Sequence, residues 1–392
     1  MIAPPEIDLS YRLTDGNIAA NNLDSARQQS WSRFWQEPLR PGVAECIVEQ
    51  EQLTMQFLGD LSVLDRLEIL VNHLDRVDAE AARTALVHAQ IASMTHRFAD
   101  ARSYLATAEA YGEFASAANR LSLSIDQACG TKLGAVLMAR RTAAESGNLE
   151  DLVPLGALHA DLREFDEADR IYQQALWGYR DTSPFAVAWV CFQLGVLWGE
   201  LVPEPQHTRA GHWYRKAIEY LPSYVKARVH LAEIYLKCGL FAEAQAVLIP
   251  AVLTDDPEVL WRLADVMLVT GKFAEAEEQI DAARSRFEFL LERYLLAFAD
   301  HGAEFYSASG NDPERAFELA SVNLANRPTL RAFEQAHATA LGAGAYDTAS
   351  EILTDARKRW GDSTAFTFSP LAERHHVHDS KDKPDLDGET AW

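Results

Sequence analysis

The sequence is poor in cysteine and in basic residues. Its 392 residues include four cysteines, and 36 Lys plus Arg stand against 58 Asp plus Glu, which gives a formal net charge of −22. The cysteines are scattered and form no CxxC motif, which excludes a disulfide framework and a Cys-rich zinc site. A chain this acidic is a poor candidate for binding the phosphate backbone of nucleic acid or the surface of anionic lipid, because the charges have the same sign. We therefore expect no nucleic-acid and no membrane partner.

Targeting and membrane-spanning signals are also missing. The first residues, from Met1 to Glu6, lack the basic and apolar regions of a secretory signal. The longest apolar stretches are broken by polar residues before they reach the roughly 20 residues that a membrane helix needs. Together with unpaired cysteines, these absences favour a cytoplasmic location.

Catalytic motifs are absent as well. GxGxxG, the P-loop motif, HExxH and GxSxG do not occur. We therefore predict that the chain is not an enzyme and needs no cofactor. The histidine cluster His375, His376 and His378 is a weak candidate for Zn²⁺ or Ni²⁺. A polar tail without a metal is the alternative, because a structural site also needs a fourth ligand and an ordered shell.

A short phrase recurs along the chain at a period close to 34 residues. It has a central alanine, usually an aromatic residue three positions earlier, a large residue four positions later and a small one seven positions later. The central alanines are Ala101, Ala135, Ala168, Ala210, Ala244, Ala276, Ala316 and Ala349. Their spacings are 34, 33, 42, 34, 32, 40 and 33 residues, and the two long intervals contain Pro- and Gly-containing segments that predict loops.

Each phrase places its apolar residues on one face of a helix, and a second apolar helix precedes it. Gly239, Gly271 and Gly344 provide turns between the paired helices. One antiparallel pair cannot bury its own apolar face, whereas a stack of pairs can. The sequence therefore predicts an all-α fold, an α-solenoid of stacked helix pairs.

This pattern resembles the tetratricopeptide repeat (TPR) family. The resemblance covers residues 82–363, about eight units, and is strongest in the units centred on Ala168, Ala244 and Ala276. It implies a right-handed superhelix whose concave groove is lined mainly by the first helix of each pair. Such grooves bind protein segments.

The two ends differ from the array. Residues 1–42 form a Pro-containing extension, whose aromatic cluster between Trp31 and Trp35 either packs onto the first helices or binds a partner. Residues 43–81 are expected to form an atypical capping helix pair, because one face of a terminal repeat meets water. Residues 364–392 are charged and poor in apolar side chains, so we expect a disordered tail.

The resemblance also implies which side chains line the groove. They are the second, fifth and ninth residues of each unit, with the central alanine counted as the twentieth. The candidates are Arg83, Gln90, Arg120, Trp189, Phe192, Lys226, Glu233, Trp261, Asp265, His301 and Phe305, and Val153, Glu258, Arg331 and Glu334 belong to the same set. Aromatic residues in mid-groove are typical of binding hot spots. The alternative for each of these aromatic residues is a place in the core, since an error of one residue in the assigned repeat position rotates the side chain by about 100° around the helix.

We therefore predict a non-catalytic interaction scaffold or adaptor, which holds a peptide segment or a protein partner in its groove. The alternative is an accessory subunit or maturation factor of an enzyme, with the tail histidines binding metal. The resemblance also implies that family members that bind the C-terminal tails of chaperones carry Lys and Asn at the fifth and ninth positions of the first unit. This sequence has Leu86 and Gln90 there, so we do not expect an adaptor of that kind. Association of two copies through terminal repeats stays open, because unpaired repeat faces tend to associate.

Overall fold

The computed structural model describes residue 9 and residues 12–78, 81–110 and 114–372, and all the regular secondary structure in these ranges is helical. The α-helices are α1 Gly16–Gln36, α2 Val43–Leu58, α3 Val63–Asp78, α4 Ala82–Met94, α5 Phe98–Ala110, α6 Ala115–Ala128, α7 Leu133–Ala144, α8 Leu149–Asp161, α9 Phe165–Gly178, α10 Pro184–Val196, α11 His207–Tyr220, α12 Val225–Lys237, α13 Phe241–Leu248, α14 Pro257–Val269, α15 Phe273–Ser307, α16 Pro313–Asn326, α17 Leu330–Gly342, α18 Tyr346–Trp360 and α19 Thr364–Thr367. A π-helical turn, Leu197–Leu201, extends α10, and a 3₁₀ turn, Ile249–Ala251, follows α13, where Pro250 ends the α-helix.

Eight helix pairs follow one another from α4 to α18, and neighbouring helices pack together throughout. Seven of the eight central alanines are buried in the second helix of their pair, as the phrase requires. The exception is Ala135, which is exposed, and Val136 is buried in its place. The prediction of an all-α solenoid of about eight units is confirmed.

Helix α15 joins the sixth and seventh pairs without a loop. Its 35 residues are kinked at Tyr294, whose φ of −134° and ψ of 47° are not helical. The part before Tyr294 is the second helix of the sixth pair, and the part after it is the first helix of the seventh. A kink thus replaces the turn that separates the other pairs.

Two glycines on inner helices admit a tyrosine from the outer helix of the same pair. A Cβ atom at Gly195 would lie 2.4 Å from the ring of Tyr214, and one at Gly156 would lie 2.8 Å from the ring of Tyr172. Both tyrosine rings are fully buried. Close packing of the third and fourth pairs therefore requires the absence of a side chain at these two positions.

Helix α10 and its π-helical turn form the most apolar segment. Residues Pro184–Leu201 are long and apolar enough to cross a membrane, although the sequence analysis identified no such run. In the structure 67% of this segment is buried inside the solenoid. Core helices of this kind satisfy the same length and composition test as membrane spans.

The N-terminal helices pack across the edge of the array. A Cβ atom at Gly16 would lie 2.4 Å from the carbonyl oxygen of Tyr220, so α1 begins in close contact with the loop after α11. The ring of Phe57 in α2 lies 5.2 Å from that of Phe185 and 4.7 Å from that of Tyr224, between ring centroids. The first two helices therefore contact the fourth and fifth pairs.

Helix α1 lies within the predicted extension, where the sequence indicated no helix. Its first turn is capped by the Asp15 carboxylate, which accepts hydrogen bonds from two backbone N–H groups. Phe34 is buried, and the Trp31 indole N–H donates to Glu51 over 2.7 Å, whereas Trp35 is 52% exposed. Most of the aromatic cluster thus packs onto the first helices, the first of the two interpretations of this segment.

The solenoid closes on itself, because early pairs contact late ones. The Asn326 side chain donates a hydrogen bond of 2.9 Å to the His96 carbonyl. The Arg163 guanidinium binds both carboxylate oxygens of Glu334 at 3.0 Å. A further hydrogen bond joins α3 to the kink of α15. The inner helices therefore surround the groove instead of lining an open arc.

The packed structure extends beyond the predicted end of the array. Residues 364–372 fall within the segment for which we expected disorder, yet Phe366 and Leu371 are buried beside Trp360. The physical reason is that the last helix pair exposes an apolar face, and these few apolar residues are sufficient to cover it. The rest of the predicted tail lies outside the described residues.

Candidate functional site

Ionisable side chains converge on the inner helices of the fourth to eighth pairs. We call them the inner cluster: Glu200, Lys226, His230, Glu233, Glu258, Arg262, Asp265, Asp300, His301, Glu304 and Arg331. They lie on the π-helical turn, α12, α14, the second part of α15 and α17. Five consecutive inner segments thus contribute charge to one wall.

The π-helical turn brings Glu200 into contact with α12. The Glu200 carboxylate lies 2.6 Å from His230 Nδ1 and accepts a hydrogen bond of 2.9 Å from the Tyr214 hydroxyl. Burial alone raises the pKa of Glu200, but His230 and Arg331 outweigh it and lower that pKa to about 2. Glu200 is therefore an anion at neutral pH.

Arg262 joins two carboxylates on neighbouring helices. Its Nε donates to Glu233 over 2.7 Å, and its Nη1 donates to Asp265 over 3.0 Å. The guanidinium also lies 3.6 Å from the centre of the Trp261 ring. Asp265 accepts a further hydrogen bond from the Ser309 hydroxyl. This part of the cluster is fully paired, which fixes the relative position of α12 and α14.

His301 and Glu258 form the third contact of the cluster. His301 Nδ1 lies 2.6 Å from the Glu258 carboxylate. Burial lowers the pKa of His301, but Asp300 and Glu258 outweigh it and raise that pKa to about 9. The same contact holds the pKa of Glu258 well below its usual range despite burial. At neutral pH the pair is therefore imidazolium and carboxylate.

Two cations of the cluster are less closely paired. Within the described residues no carboxylate lies within 4.0 Å of the Lys226 ammonium. Burial lowers the pKa of Lys226, but the more distant charges of Glu258 and Asp256 outweigh burial and raise that pKa. Arg331 is 3.8 Å from Glu200 and 3.9 Å from Glu304, and its side chain is 59% exposed. These two groups retain donors that face the groove.

One part of the cluster has the composition of a metal site. Ligand atoms of Glu200, His230 and Glu233 lie within 4.8 Å of one another. Each carboxylate, however, already has a cationic partner, His230 for Glu200 and Arg262 for Glu233. Positive charge next to the ligands opposes a bound cation, so the geometry fits a network of ion pairs better than a metal centre.

Six predicted groove residues lie in the cluster, namely Lys226, Glu233, Glu258, Asp265, His301 and Arg331. Another predicted residue, Trp189, is half-buried on the inner face of α10 and lines a cavity with Val153. The tail histidines His375, His376 and His378 lie outside the described residues.

Three of the four aromatic residues predicted to line mid-groove are buried instead, and Trp189 is the exception. Trp261 is 3% exposed, and Phe192 and Phe305 are also buried. Trp261 and Phe305 pack edge to face, with 5.5 Å between ring centroids, and Phe192 packs against Tyr224. They belong to the core because a large apolar side chain at the border of two faces turns away from water.

A shift of one position accounts for the correction at Phe192 and Trp261. In the fourth, fifth and sixth units the residue after the predicted fifth position faces the groove, and these residues are Gln193, His230 and Arg262. Sequence reasoning missed all three, although a polar residue beside a large apolar one is a signal that could have found them.

Three other candidates lie apart from the cluster. Arg83 donates to the Leu39 carbonyl over 2.8 Å and so ties α4 to the segment before α2. Arg120 is exposed and donates a hydrogen bond of 2.9 Å to Ser116 of the same helix. The Gln90 side-chain oxygen is buried without a hydrogen-bond partner in the described structure. The structure brings none of them to the central wall.

Comparison with known proteins supports the repeat assignment. The family model described as tetratricopeptide repeat matches residues 205–260. The sequence matches none of the curated proteins with which it was compared. The matched segment extends from the second helix of the fourth pair into the first helix of the sixth.

Three solved structures show weak likeness. The APC/C hetero-tetramer Cut9-Hcn1 is 13% identical, covers 90% of this chain and 66% of its own, and has a TM-score of 0.45. Yeast Tom70 is 12% identical, with 90% and 96% covered and a TM-score of 0.31. MamA is 18% identical, with 39% and 88% covered and a TM-score of 0.24. The chain spans about two thirds of the first of these proteins. The matched segment and the eight helix pairs together confirm the predicted resemblance to the tetratricopeptide repeat family.

Proposed function

We propose that the chain is a non-catalytic interaction scaffold that holds a segment of a partner protein in its enclosed groove. The observation that carries the proposal is the inner cluster, in which five consecutive inner segments direct charged groups to one solvent-accessible wall. Repeat solenoids use such extended inner surfaces for binding. Lys226 and Arg331, whose donors are not fully used within the chain, supply contacts for a partner.

The revised lining changes the kind of partner expected. Because Phe192, Trp261 and Phe305 are buried, the central wall offers charge and hydrogen bonds instead of aromatic anchors. A mixed acidic and basic wall favours a polar segment of alternating charge over an apolar helix. The cytoplasmic location and the absence of nucleic-acid and membrane partners stay predictions.

Photo-crosslinking tests this proposal directly. A benzoylphenylalanine placed at Trp189, which lines the groove, should form adducts of discrete mass in cell extract. The matched control is the same residue at Trp177, which is 52% exposed on the outer helix α9. Adducts at position 177 alone, or at neither position, would contradict a groove-binding scaffold.

A further inference from the structure

A separate cavity opens on the inner face before the inner cluster begins. It has a volume of about 320 Å³ and lies between α6, α8 and α10, with one side chain reaching in from α7. Its walls are partly apolar, with Ala128, Val153 and Pro154, and Trp189 contributes an aromatic side. This volume lies at the lower end of the range for small-molecule pockets and accommodates a side chain of a partner.

The side chain from α7 is Arg140, which is only 8% exposed. Its Nη2 donates to the Ser124 hydroxyl over 3.0 Å, while its Nε has no hydrogen-bond partner in the described structure. No described carboxylate lies within ion-pair distance of it. Burial lowers the pKa of Arg140, and only Asp151 opposes that effect. The cavity therefore contains a buried cation that forms no direct ion pair with any described carboxylate.

Such a cation is costly unless something pairs with it. A buried charge without a partner destabilises a fold, and a carboxylate with hydrogen-bond geometry recovers much of that cost. Asp161 also lines the cavity but does not pair with Arg140. The Asp161 side chain is exposed, and its carboxylate accepts a hydrogen bond of 3.3 Å from the Gln127 side chain.

We propose that this cavity binds an acidic side chain, Glu or Asp, of the partner segment, with Arg140 as the pairing cation. The apolar walls accommodate the methylene groups, and Trp189 covers one side. The proposal rests on the proposed function and specifies the chemistry of one position of the bound segment.

The test uses a phage-displayed library of random dodecapeptides, whose segments have no free C-terminus, panned on the full-length protein. Wild type should enrich peptides with Glu or Asp at one fixed position. In a synthetic peptide from that selection, Glu→Gln should weaken binding to wild type at least tenfold and leave binding to Arg140→Gln unchanged. Arg140→Lys, which keeps the charge, should retain part of the discrimination.

Arg141→Gln is the matched control, because Arg141 is the exposed neighbour on the same helix. It should behave as wild type. Selected peptides without an acidic position, or equal discrimination by Arg140→Gln, would overturn the inference alone. Failure to select any peptide on wild type would instead count against groove binding itself. If Arg140→Gln does not fold, the peptide substitution measured on wild type and Arg140→Lys still decides.

Discussion

His301 shows how the inner cluster links stability to pH. Its pKa is raised to about 9 by Asp300 and Glu258, against about 6.5 in an unfolded chain. A group with a raised folded pKa stabilises the fold fully below its unfolded pKa, and that contribution is lost as the pH rises through the folded value. The window for His301 is therefore pH 6.5 to 9, and Lys226 and Glu304 face the same site.

His301→Gln should lower the free energy of unfolding by about 1 kcal/mol at pH 6.5, because solvent in the groove screens the pair. The difference from wild type should decrease towards zero by pH 10. Urea unfolding at pH 6.5, 8 and 10 measures it. Glu258→Gln, which removes the direct partner, should reduce the same pH trend, and a difference that stays constant with pH would refute the linkage.

Helix packing in the fourth pair depends on a missing side chain. The ring of Tyr214 in α11 occupies the space where a Cβ atom of Gly195 in α10 would lie. Neither the ring nor the helix can move far, since Tyr214 is fully buried and its hydroxyl donates to Glu200. One contact thus connects the core of this pair to the charged wall.

Gly195→Ala should destabilise the protein by about 1–3 kcal/mol through overpacking. The matched control is Gly342→Ala in α17, where the added carbon would meet open space beyond its own stretch of helix. That change should be neutral or stabilising by up to about 1 kcal/mol. The shift in denaturant midpoint of each variant, at an unchanged slope of unfolding free energy against denaturant concentration, measures the two effects. Equal effects at the two sites would show that close packing is not the cause.

The repeat phrase predicted the helix pairs well and the groove only in part. Central alanines such as Ala244 identify the packed face, because a small residue there admits the neighbouring helix. They do not determine whether the Trp261 side chain faces the groove or the core, since the fifth position of a unit lies between these two faces of its helix. Helix α1 could not be predicted because its sequence is polar and it packs through contacts with residues far along the chain, as Gly16 does with Tyr220.

Closure of the solenoid could not be predicted, because it depends on residues far apart in the chain. Arg163 and Glu334 are 171 residues apart, and the His96 and Asn326 contact spans 230. No periodicity relates such pairs. In an open repeat array each unit contacts only its neighbours, so closure adds coupling between units that are not adjacent.

Arg163→Gln should lower stability by about 2–4 kcal/mol, because it leaves the largely buried Glu334 carboxylate unpaired. Small-angle scattering should show an increase in maximum dimension as the early and late pairs separate. Arg170→Gln is the control, since its partner Glu167 lies on the same exposed helix face. It should change stability by less than about 0.5 kcal/mol. Adding Glu334→Gln to Arg163→Gln should restore part of the loss, and an unchanged dimension would show that this pair does not hold the closure.

The packing of α2 across the array has a consequence for synthesis on the ribosome. Phe57 completes its environment only when Tyr224 has been made, 167 residues later. At translation rates of about 5–20 residues per second, the delay is roughly 8–33 s. During this interval the nascent N-terminal helices expose an apolar face that nothing yet covers. The first helices of the chain are therefore synthesised well before the residues in the middle of the chain that cover them. Any chaperone that assists this protein would be needed most during that interval.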